Sequence, residues 1–294
     1  MSSIRLQYLA HLRNNSLVNQ QLREEWAQRT LLYTPRNRIV YHNVQPHLEA
    51  TYSRSTLVFD SQFAGGNLDF AVKVKSREYD LYIRPDTNTT GNFQWFYFRV
   101  SNTLQDQSIR FNVRNICRHN PLYEQGFAPY SNSRQEGSIW KMLHPIANRV
   151  LTTMEDNGRE WCVSFDYTFR SDFDEVEFAC QPPYTHENFA KLLAFSPRIG
   201  QLCTSLLGLN VPCVTITQAK GRGFHSVGLA IARQHPGEAV GSWMMHGFLH
   251  ELLFQRDQEV LWIVVPMMNP DGVYVGNSRT GLAGYDYNRL YNQE

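Results

Sequence analysis

The chain has 294 residues, of which 42% are hydrophobic and 19% charged, a balance typical of a globular rather than a disordered protein. Its 28 Lys and Arg residues nearly cancel its 27 Asp and Glu residues, which leaves a net charge of +1. A near-neutral chain gives no electrostatic reason to expect a nucleic acid or an anionic membrane as a partner, and no apolar run is long enough to cross a bilayer.

Residues 1–38 predict a helical arm. Val18, Leu22 and Trp26 recur at i, i+4 and i+8, the spacing that brings side chains onto one face of a helix. Arginines outnumber glutamates in this segment, and a solvated helix packed on the following domain explains that excess without an anionic partner.

Residues 39–183 predict an antiparallel β-sandwich domain. Apolar and polar residues alternate in short runs, and Gly, Pro, Asn and Asp separate the runs as they separate strands in sandwiches. The predicted strands are 70–75, 79–84, 93–100, 108–113 and 161–167. No motif with catalytic spacing lies in this region, so by itself it would be a binding or structural module.

Residues 184–294 predict an α/β domain on a mixed or largely parallel sheet. Near-continuous apolar runs at 212–218, 226–232 and 260–266 are typical of buried strands, and helices are predicted over 189–207 and 238–254. The fold class is therefore a two-domain chain in which an antiparallel β-sandwich precedes an α/β region.

The five cysteines predict free thiols rather than disulfides. They are odd in number, widely spaced and form no Cys-x-x-Cys pair. Buried free thiols are typical of a reducing compartment, and the N-terminus has no apolar core of the length that a signal peptide requires. Together these features predict a cytoplasmic protein.

The tetrapeptide His-Pro-Gly-Glu at 235–238 lies between a predicted strand and a predicted helix. Ligands and catalytic groups of α/β sheets gather at the carboxyl ends of strands. The imidazole of His235 and the carboxylate of Glu238 could bind one zinc ion, which catalytic sites hold with three protein ligands and a water. A histidine and a glutamate at this spacing also form ordinary structural pairs, and the tetrapeptide alone favours that interpretation over a zinc site.

The next predicted strand ends in a predicted turn that contains Pro270, Asp271 and Gly272. Two arginines and an asparagine follow this turn. Arg279 ends the segment 276–279, and Asn288 and Arg289 end the segment 286–289. Arginine binds carboxylates through two parallel hydrogen bonds, which suits a substrate that ends in a carboxylate. One arginine could instead stabilise the oxyanion that forms when water adds to a peptide carbonyl. Each residue alone is explained as a surface residue of a polar loop, but their joint occurrence after a strand end favours a substrate-binding site.

Four motifs follow one another in the last part of the chain: His-Pro-Gly-Glu at 235–238, Asn-Pro-Asp-Gly-Val at 269–273, Gly-Asn-Ser-Arg at 276–279 and Asp-Tyr-Asn-Arg at 286–289. In this order they resemble consecutive signatures of the M14 zinc carboxypeptidases, and specifically the cytosolic carboxypeptidase subfamily. Those enzymes remove glutamates from the tails and side chains of tubulin and other proteins. Upstream segments at 65–68, 78–81, 94–98 and 180–185 are similar to the β-sandwich that precedes the catalytic domain in that subfamily.

The resemblance implies a role for each motif. His235 and Glu238 would be zinc ligands, and Arg279 would stabilise the oxyanion. Asn288 and Arg289 would bind the terminal carboxylate of the substrate. Residues 184–294 would then be the first part of a zinc carboxypeptidase domain, acting on glutamylated protein tails such as those of tubulin, with no nucleic acid or membrane partner.

The family's later histidine ligand, general-base glutamate and tyrosine have no counterpart before Glu294. The sequence therefore predicts a C-terminally truncated chain. Two alternatives stay open: a catalytically inactive binding protein that keeps the sandwich, and a zinc amidohydrolase of related fold that acts on small acyl amino acids.

Overall fold

Fifteen strands and three α-helices make up the part of the chain that the structure describes. This computed structural model describes residues 39–43, 56–89, 91–155, 160–193, 199–217, 226–254 and 260–291, so the predicted helical arm at 1–38 lies outside it. The strands are β1 (Ile39–His42), β2 (Val58–Asp60), β3 (Leu68–Lys75), β4 (Glu78–Ile83), β5 (Tyr97–Ser101), β6 (Ser108–Ile116), β7 (Tyr130–Ser133), β8 (Lys141–Met142), β9 (Leu151–Glu155), β10 (Glu160–Thr168), β11 (Val176–Ala179), β12 (Ile199–Thr204), β13 (Asn210–Ile216), β14 (Ser226–Ile231) and β15 (Val260–Val265). The α-helices are α1 (His186–Leu193), α2 (Ala239–Phe254) and α3 (Pro270–Val275).

Two sheets form the N-terminal region. One has the strand order β1-β3-β4-β6-β10-β9 and the other β2-β5-β11-β7-β8. In β4 every second residue is buried, as expected for a strand with one face on a core. Buried aromatic residues from both sheets, among them Phe59, Phe98, Phe111, Phe165 and Phe178, belong to one cluster. The strand-rich N-terminal region is confirmed, and the shared cluster supports the sandwich interpretation.

One strand pair departs from the predicted antiparallel pattern. β4 pairs with β6 in parallel, with Tyr79 opposite Phe111. The chain leaves the first sheet after β4, forms β5 in the other sheet, and returns as β6 in the same direction. Parallel neighbours need such a crossover, and alternation within each strand carries no information about it.

The C-terminal region contains a four-stranded sheet in the order β12-β13-β15-β14. β14 runs parallel to β15, whereas β13 runs antiparallel to it, so the predicted mixed sheet is confirmed. Helix α2 packs Met245 and Leu249 into the same cluster as Val264 of β15. This arrangement places the end of β14 and the start of α2 next to the end of β15.

Two predicted elements of this region are wrong. Residues 199–204 form strand β12 rather than the end of a helix, because they pair with β13 across a turn in which Gly208 has a φ of 70°. Residues 270–275 form helix α3 rather than a turn. Asn269 caps α3 by accepting a hydrogen bond from the Gly272 amide at 2.9 Å, and Pro270 occupies the first turn, where proline is tolerated.

The edge of the C-terminal sheet is apolar and exposed. β14 is an edge strand, and Val227 and Leu229 are 56% and 63% exposed. None of the helices in the described ranges combines the length and hydropathy that a membrane span requires. All five cysteines are free, but Cys117 and Cys203 are exposed, so the prediction that the thiols are buried is wrong for these two.

Candidate active site

His235 and Glu238 face each other across a tight turn between β14 and α2. The His235 Nδ1 atom lies 2.9 Å from the Glu238 Oε1 atom. The His235 side chain is 10% exposed, whereas that of Glu238 is 64% exposed. A buried imidazole therefore presents one nitrogen towards an accessible carboxylate, in the turn that joins β14 to α2.

A buried arginine that sequence reasoning missed fixes this turn. Arg233 has a φ of 59°, a left-handed conformation that is costly for a residue with a side chain. Its guanidinium donates to the Pro236 carbonyl at 2.6 Å, the Tyr184 carbonyl at 3.0 Å and the Ser242 hydroxyl at 2.9 Å. Burial lowers the pKa of Arg233 to about 9, and the nearby Glu238 carboxylate acts in the opposite direction. These hydrogen bonds hold the turn against the strain of its backbone.

The turn also contacts the segment that carries Arg279. The Gly237 amide donates to the Ser278 carbonyl at 2.8 Å. A Cβ atom on Gly237 would lie 2.7 Å from that carbonyl oxygen and 3.0 Å from the Ser278 Cα. Only glycine lets the two backbones approach this closely, so the tetrapeptide and the 276–279 segment form one unit.

Asp286 joins His235 to Arg279. One carboxylate oxygen lies 3.0 Å from His235 Nε2, and the other accepts from Arg279 Nε at 2.7 Å. Partial burial acts to raise the pKa of Asp286, but the hydrogen bonds from His235 and Arg279 outweigh it and the pKa is lowered. The charged carboxylate therefore orients the imidazole and the guanidinium together.

The donor chemistry of this group fits a zinc ion. When Nε2 carries the proton that Asp286 accepts, Nδ1 presents a lone pair to the Glu238 carboxylate, and two acceptors 2.9 Å apart need a cation or a proton between them. Zinc bonds to nitrogen and oxygen are about 2.0–2.2 Å long, so two donors at this separation can share one ion. A carboxylate behind a ligating histidine is the usual orienting partner. Within the described ranges no group of three His, Cys, Asp or Glu gathers as a metal site, so the pair supplies two ligands.

The two remaining predicted residues are exposed. Asn288 donates its backbone amide to Asp286 Oδ1 at 3.0 Å, which attaches the start of a short 3-10 helix (Tyr287–Arg289) to the site. Arg289 donates from Nη1 to the Asn288 carbonyl at 3.2 Å. The structure thus brings together His235, Glu238 and Arg279 through Asp286, with Asn288 and Arg289 at the periphery.

The N-terminal region holds the Arg279 segment in place. Asp86, which follows β4, accepts from the backbone amides of Ser278 at 2.5 Å, Arg279 at 2.7 Å and Thr280 at 2.7 Å. Asp86 is buried, and burial raises its pKa to about 6 although these hydrogen bonds act to lower it. The Ser278 hydroxyl in turn accepts from the Trp95 amide at 2.8 Å. Residues almost 200 positions apart therefore build one site.

A cleft of about 290 Å³ lies between the two regions and opens on this site. Its C-terminal wall includes His235, Glu238 and Arg279. The opposite wall comes from the N-terminal sheets and the segments that join them, and includes Arg118 and Gln181. The site is therefore accessible from a channel that both regions line.

Two sequence comparisons identify the same family. Residues 59–179 match the cytosolic carboxypeptidase N-terminal domain, and residues 189–294 match the zinc carboxypeptidase domain. Cytosolic carboxypeptidase 2 of Mus musculus is 36% identical over 261 residues, which cover 81% of this chain and 30% of the mouse protein. Cytosolic carboxypeptidase 6 of Caenorhabditis elegans is 33% identical over 255 residues, covering 81% of this chain and 55% of the worm protein.

The chain belongs to the M14 zinc carboxypeptidases, within the cytosolic carboxypeptidase group.

Solved carboxypeptidase structures show the same fold. A metallo-carboxypeptidase from Burkholderia cenocepacia superposes with a TM-score of 0.64 at 26% identity, covering 80% of this chain and 62% of that chain. A metallo-carboxypeptidase from Pseudomonas aeruginosa, solved in complex with (2-guanidinoethylmercapto)succinic acid, gives a TM-score of 0.63 at 25% identity, covering 80% of this chain and 61% of that chain. The chain spans about a third to just over half of the curated relatives described above.

Two of the residues that sequence reasoning missed, Asp286 and Asp86, each lie in a recognisable local pattern. Asp286 begins the motif that also contains Asn288 and Arg289, and an aspartate just before a short helix is a common cap. Asp86 follows a proline at the end of β4, a position that reads as a turn. Nothing in the sequence indicates that this turn meets residues 278–280, because that contact forms only in the folded chain.

Proposed function

We propose that this chain contributes to a zinc-dependent carboxypeptidase that removes C-terminal or branch-point glutamates from protein tails, tubulin tails among them, in the cytoplasm. The observation that carries the proposal is the linked group His235, Glu238, Asp286 and Arg279, with its 2.9 Å ligand pair and its shared carboxylate. The names of the relatives support the zinc carboxypeptidase chemistry and the location. The preference for glutamate rests on the resemblance of the motifs to the deglutamylating subfamily.

His235 and Glu238 would hold the zinc ion. When bound, zinc acidifies a water and polarises the peptide carbonyl. Asp286 keeps the proton of the imidazole on Nε2, so that Nδ1 stays available as a ligand. A structural His–Glu pair would need neither this orienting carboxylate nor a ligand carboxylate that is more than half exposed.

Arg279 would stabilise developing negative charge. Its Nε is engaged by Asp286, which fixes the plane of the guanidinium, and its side chain lines the cleft beside His235 and Glu238. A fixed donor near a developing oxyanion typically contributes about 3–4 kcal/mol to the rate. Asn288 and Arg289 are exposed beyond Asp286, where a substrate carboxylate could reach them.

Peptide hydrolysis in the presence of zinc tests the proposal. The later histidine ligand and the general base have no counterpart before Glu294, so the assay uses the full-length protein that contains this chain. Peptides that end in Glu, Gln or Lys are incubated with it, and the loss of one residue is followed by mass spectrometry. We expect zinc-dependent release of Glu in preference to Gln and Lys, and loss of release in Glu238→Gln. No release from any peptide would contradict the proposal for this chain and favour the inactive binding protein. Release from N-acyl amino acids instead of peptides would favour the amidohydrolase.

Zinc affinity tests the ligand assignment separately from turnover. We expect Asp286→Asn to weaken zinc binding by about 10- to 100-fold, because the asparagine no longer fixes the imidazole proton. His235→Ala should weaken it further, since it removes a ligand. Competition with a chromogenic chelator measures both effects, and a variant Asp286→Asn that binds zinc as tightly as the parent chain would contradict the orienting role.

The prediction that the chain is truncated stays a prediction. Sequencing the transcript beyond the codon for residue 294 checks it, and a genuine stop at that position would contradict it.

A further inference from the structure

The described part of the N-terminal wall of the cleft carries an exposed arginine and no carboxylate. Arg118 follows β6 and lines the same cleft as His235 and Arg279. Among the residues of the N-terminal region that the structure describes, no Asp or Glu lines the cleft, and the nearby Glu124 lies 3.0 Å from His119 Nε2. The wall opposite the candidate metal pair therefore offers positive charge to whatever enters.

Arg118 differs from exposed arginines elsewhere in the same sheets. Arg134 pairs with Glu175 at 3.1 Å, and Arg170 pairs with Glu136 at 3.2 Å. Among the residues that the structure describes, Arg118 has no ion pair with any carboxylate. Its guanidinium is free to bind an acidic group, for which its planar fork of donors is suited.

A second polar group on the same wall lacks a partner. The Gln181 Oε1 atom is buried and accepts no hydrogen bond within the described residues. A buried acceptor without a donor is unfavourable, so an occupant of the cleft that supplies an N–H group would satisfy it. Trp95 and Phe127 line the cleft as well and offer apolar surface for methylene groups.

The position of the cleft indicates which part of a substrate would occupy it. The cleft is lined by His235, Glu238 and Arg279, but not by Asn288 or Arg289. If the last two hold the terminal carboxylate, as the proposed function states, the residues that precede the scissile bond lie on the other side of the metal pair. That side is the N-terminal wall.

We propose that Arg118 binds an acidic side chain of the peptide segment that precedes the scissile bond, while Gln181 accepts a hydrogen bond from that segment's backbone. This inference rests on the proposed function, which sets the direction in which the peptide chain crosses the site. It assigns the N-terminal region a direct part in recognising acidic tails. A glutamate in this subsite would pack its methylene groups on Trp95 and Phe127 and place its carboxylate at the guanidinium.

Peptide binding without turnover tests the subsite. A fluorescein-labelled peptide of five glutamates is titrated with the full chain in EDTA, and fluorescence anisotropy gives the Kd. We expect Arg118→Ala to weaken binding by about tenfold or more, because a hydrogen bond between charged groups is lost. The matched control is Arg170→Ala, which removes the same charge from a side chain that is 80% exposed and lines no part of the cleft. The control should leave the Kd within twofold.

A second peptide locates the effect. A peptide that keeps its terminal glutamate but carries glutamine at every preceding position should bind the parent chain and Arg118→Ala with the same Kd. Equal weakening by Arg118→Ala and Arg170→Ala would show a general charge effect and overturn the subsite, as would an unchanged Kd in Arg118→Ala or no binding by the parent chain. Binding that depends on Arg118, together with no release of any residue by the full-length protein in the hydrolysis experiment above, would contradict the proposed function and leave the subsite standing.

Discussion

The two regions of the chain bury their residues in different ways. In the N-terminal region two sheets enclose aromatic rings, with the ring centroids of Phe98 and Phe178 5.5 Å apart and those of Phe111 and Phe178 5.2 Å apart. In the C-terminal region the buried residues around the site are largely polar and hydrogen-bonded, as Arg233 and Asn269 are. The first region is held by non-directional apolar burial, whereas the second depends on hydrogen bonds that fix particular atoms.

The candidate active site is not built by the C-terminal region alone. The segment with Arg279 donates three backbone hydrogen bonds to the Asp86 carboxylate, so its conformation depends on the N-terminal region. A stable apolar core upstream serves as the frame on which a polar site is built. Rigid scaffolds commonly position functional loops in this way.

The largest expected effect concerns apolar burial. Phe111→Ala removes a fully buried ring from the N-terminal core and should lower the free energy of unfolding by about 3–5 kcal/mol. Leu229→Ala removes a side chain that is 63% exposed on β14 and should change it by less than about 0.5 kcal/mol. Urea denaturation followed by far-UV circular dichroism measures both. Equal effects would break the contrast between a closed core and an open sheet edge.

A smaller effect concerns the link between the regions. Asp86→Asn places an amide N–H₂ where a carboxylate oxygen accepts hydrogen bonds, and leaves buried donors without a partner. The free energy of unfolding at pH 7 should fall by about 2–3 kcal/mol. Asp172→Asn is the control, since Asp172 accepts a single exposed hydrogen bond from Gln105 and an amide oxygen can replace it. An unchanged stability in Asp86→Asn would mean that Asp86 does not hold the Arg279 segment.

The same variant has a signature in its pH dependence. Burial raises the pKa of Asp86 to about 6, above the value of about 4 that an aspartate has in an unfolded chain. Between these values the folded chain holds a proton that the unfolded chain releases, so this group's contribution to stability falls as the pH rises from about 4 to about 6. Asp86→Asn should lack that component of the slope in urea midpoints measured across this range, and Asp172→Asn should keep it.

The smallest expected effects on stability come from substituting two glycines of the C-terminal region. Gly237→Ala forces a Cβ to 2.7 Å from the Ser278 carbonyl oxygen and should cost about 1–3 kcal/mol and weaken zinc binding. Gly247→Ala, in the middle of α2 with nothing within 4 Å of the added Cβ, should stabilise the chain by about 0.5–1 kcal/mol. Thermal unfolding and chelator competition distinguish the two. If Gly237→Ala left both stability and zinc binding unchanged, the close approach of residue 237 to the Ser278 backbone would not be required.

The sequence by itself determined the existence of most elements and the identity of the candidate residues. Alternation predicted β3, β4, β6 and β10, and apolar runs predicted β13, β14 and β15, because the period of side-chain exposure is a local property of the chain. The ordered motifs predicted the family, which the comparisons confirm. The roles of His235, Glu238, Arg279, Asn288 and Arg289 stay predictions that the experiments above address.

Only the tertiary structure decided how these residues meet. The parallel β4–β6 pair escaped prediction because its two strands are separated along the chain by β5, which belongs to the other sheet. β12 escaped prediction although its partner β13 is the next strand, because local propensity does not encode the pairing that makes residues 199–204 a strand. Asp286 contacts His235 across 51 positions of sequence. Asp86 binds the backbone of Arg279 across 193 positions. A sequence states which groups are available. The distances at which Asp286 joins His235 to Arg279, and at which Asp86 binds the backbone of the Arg279 segment, arise only in the folded chain.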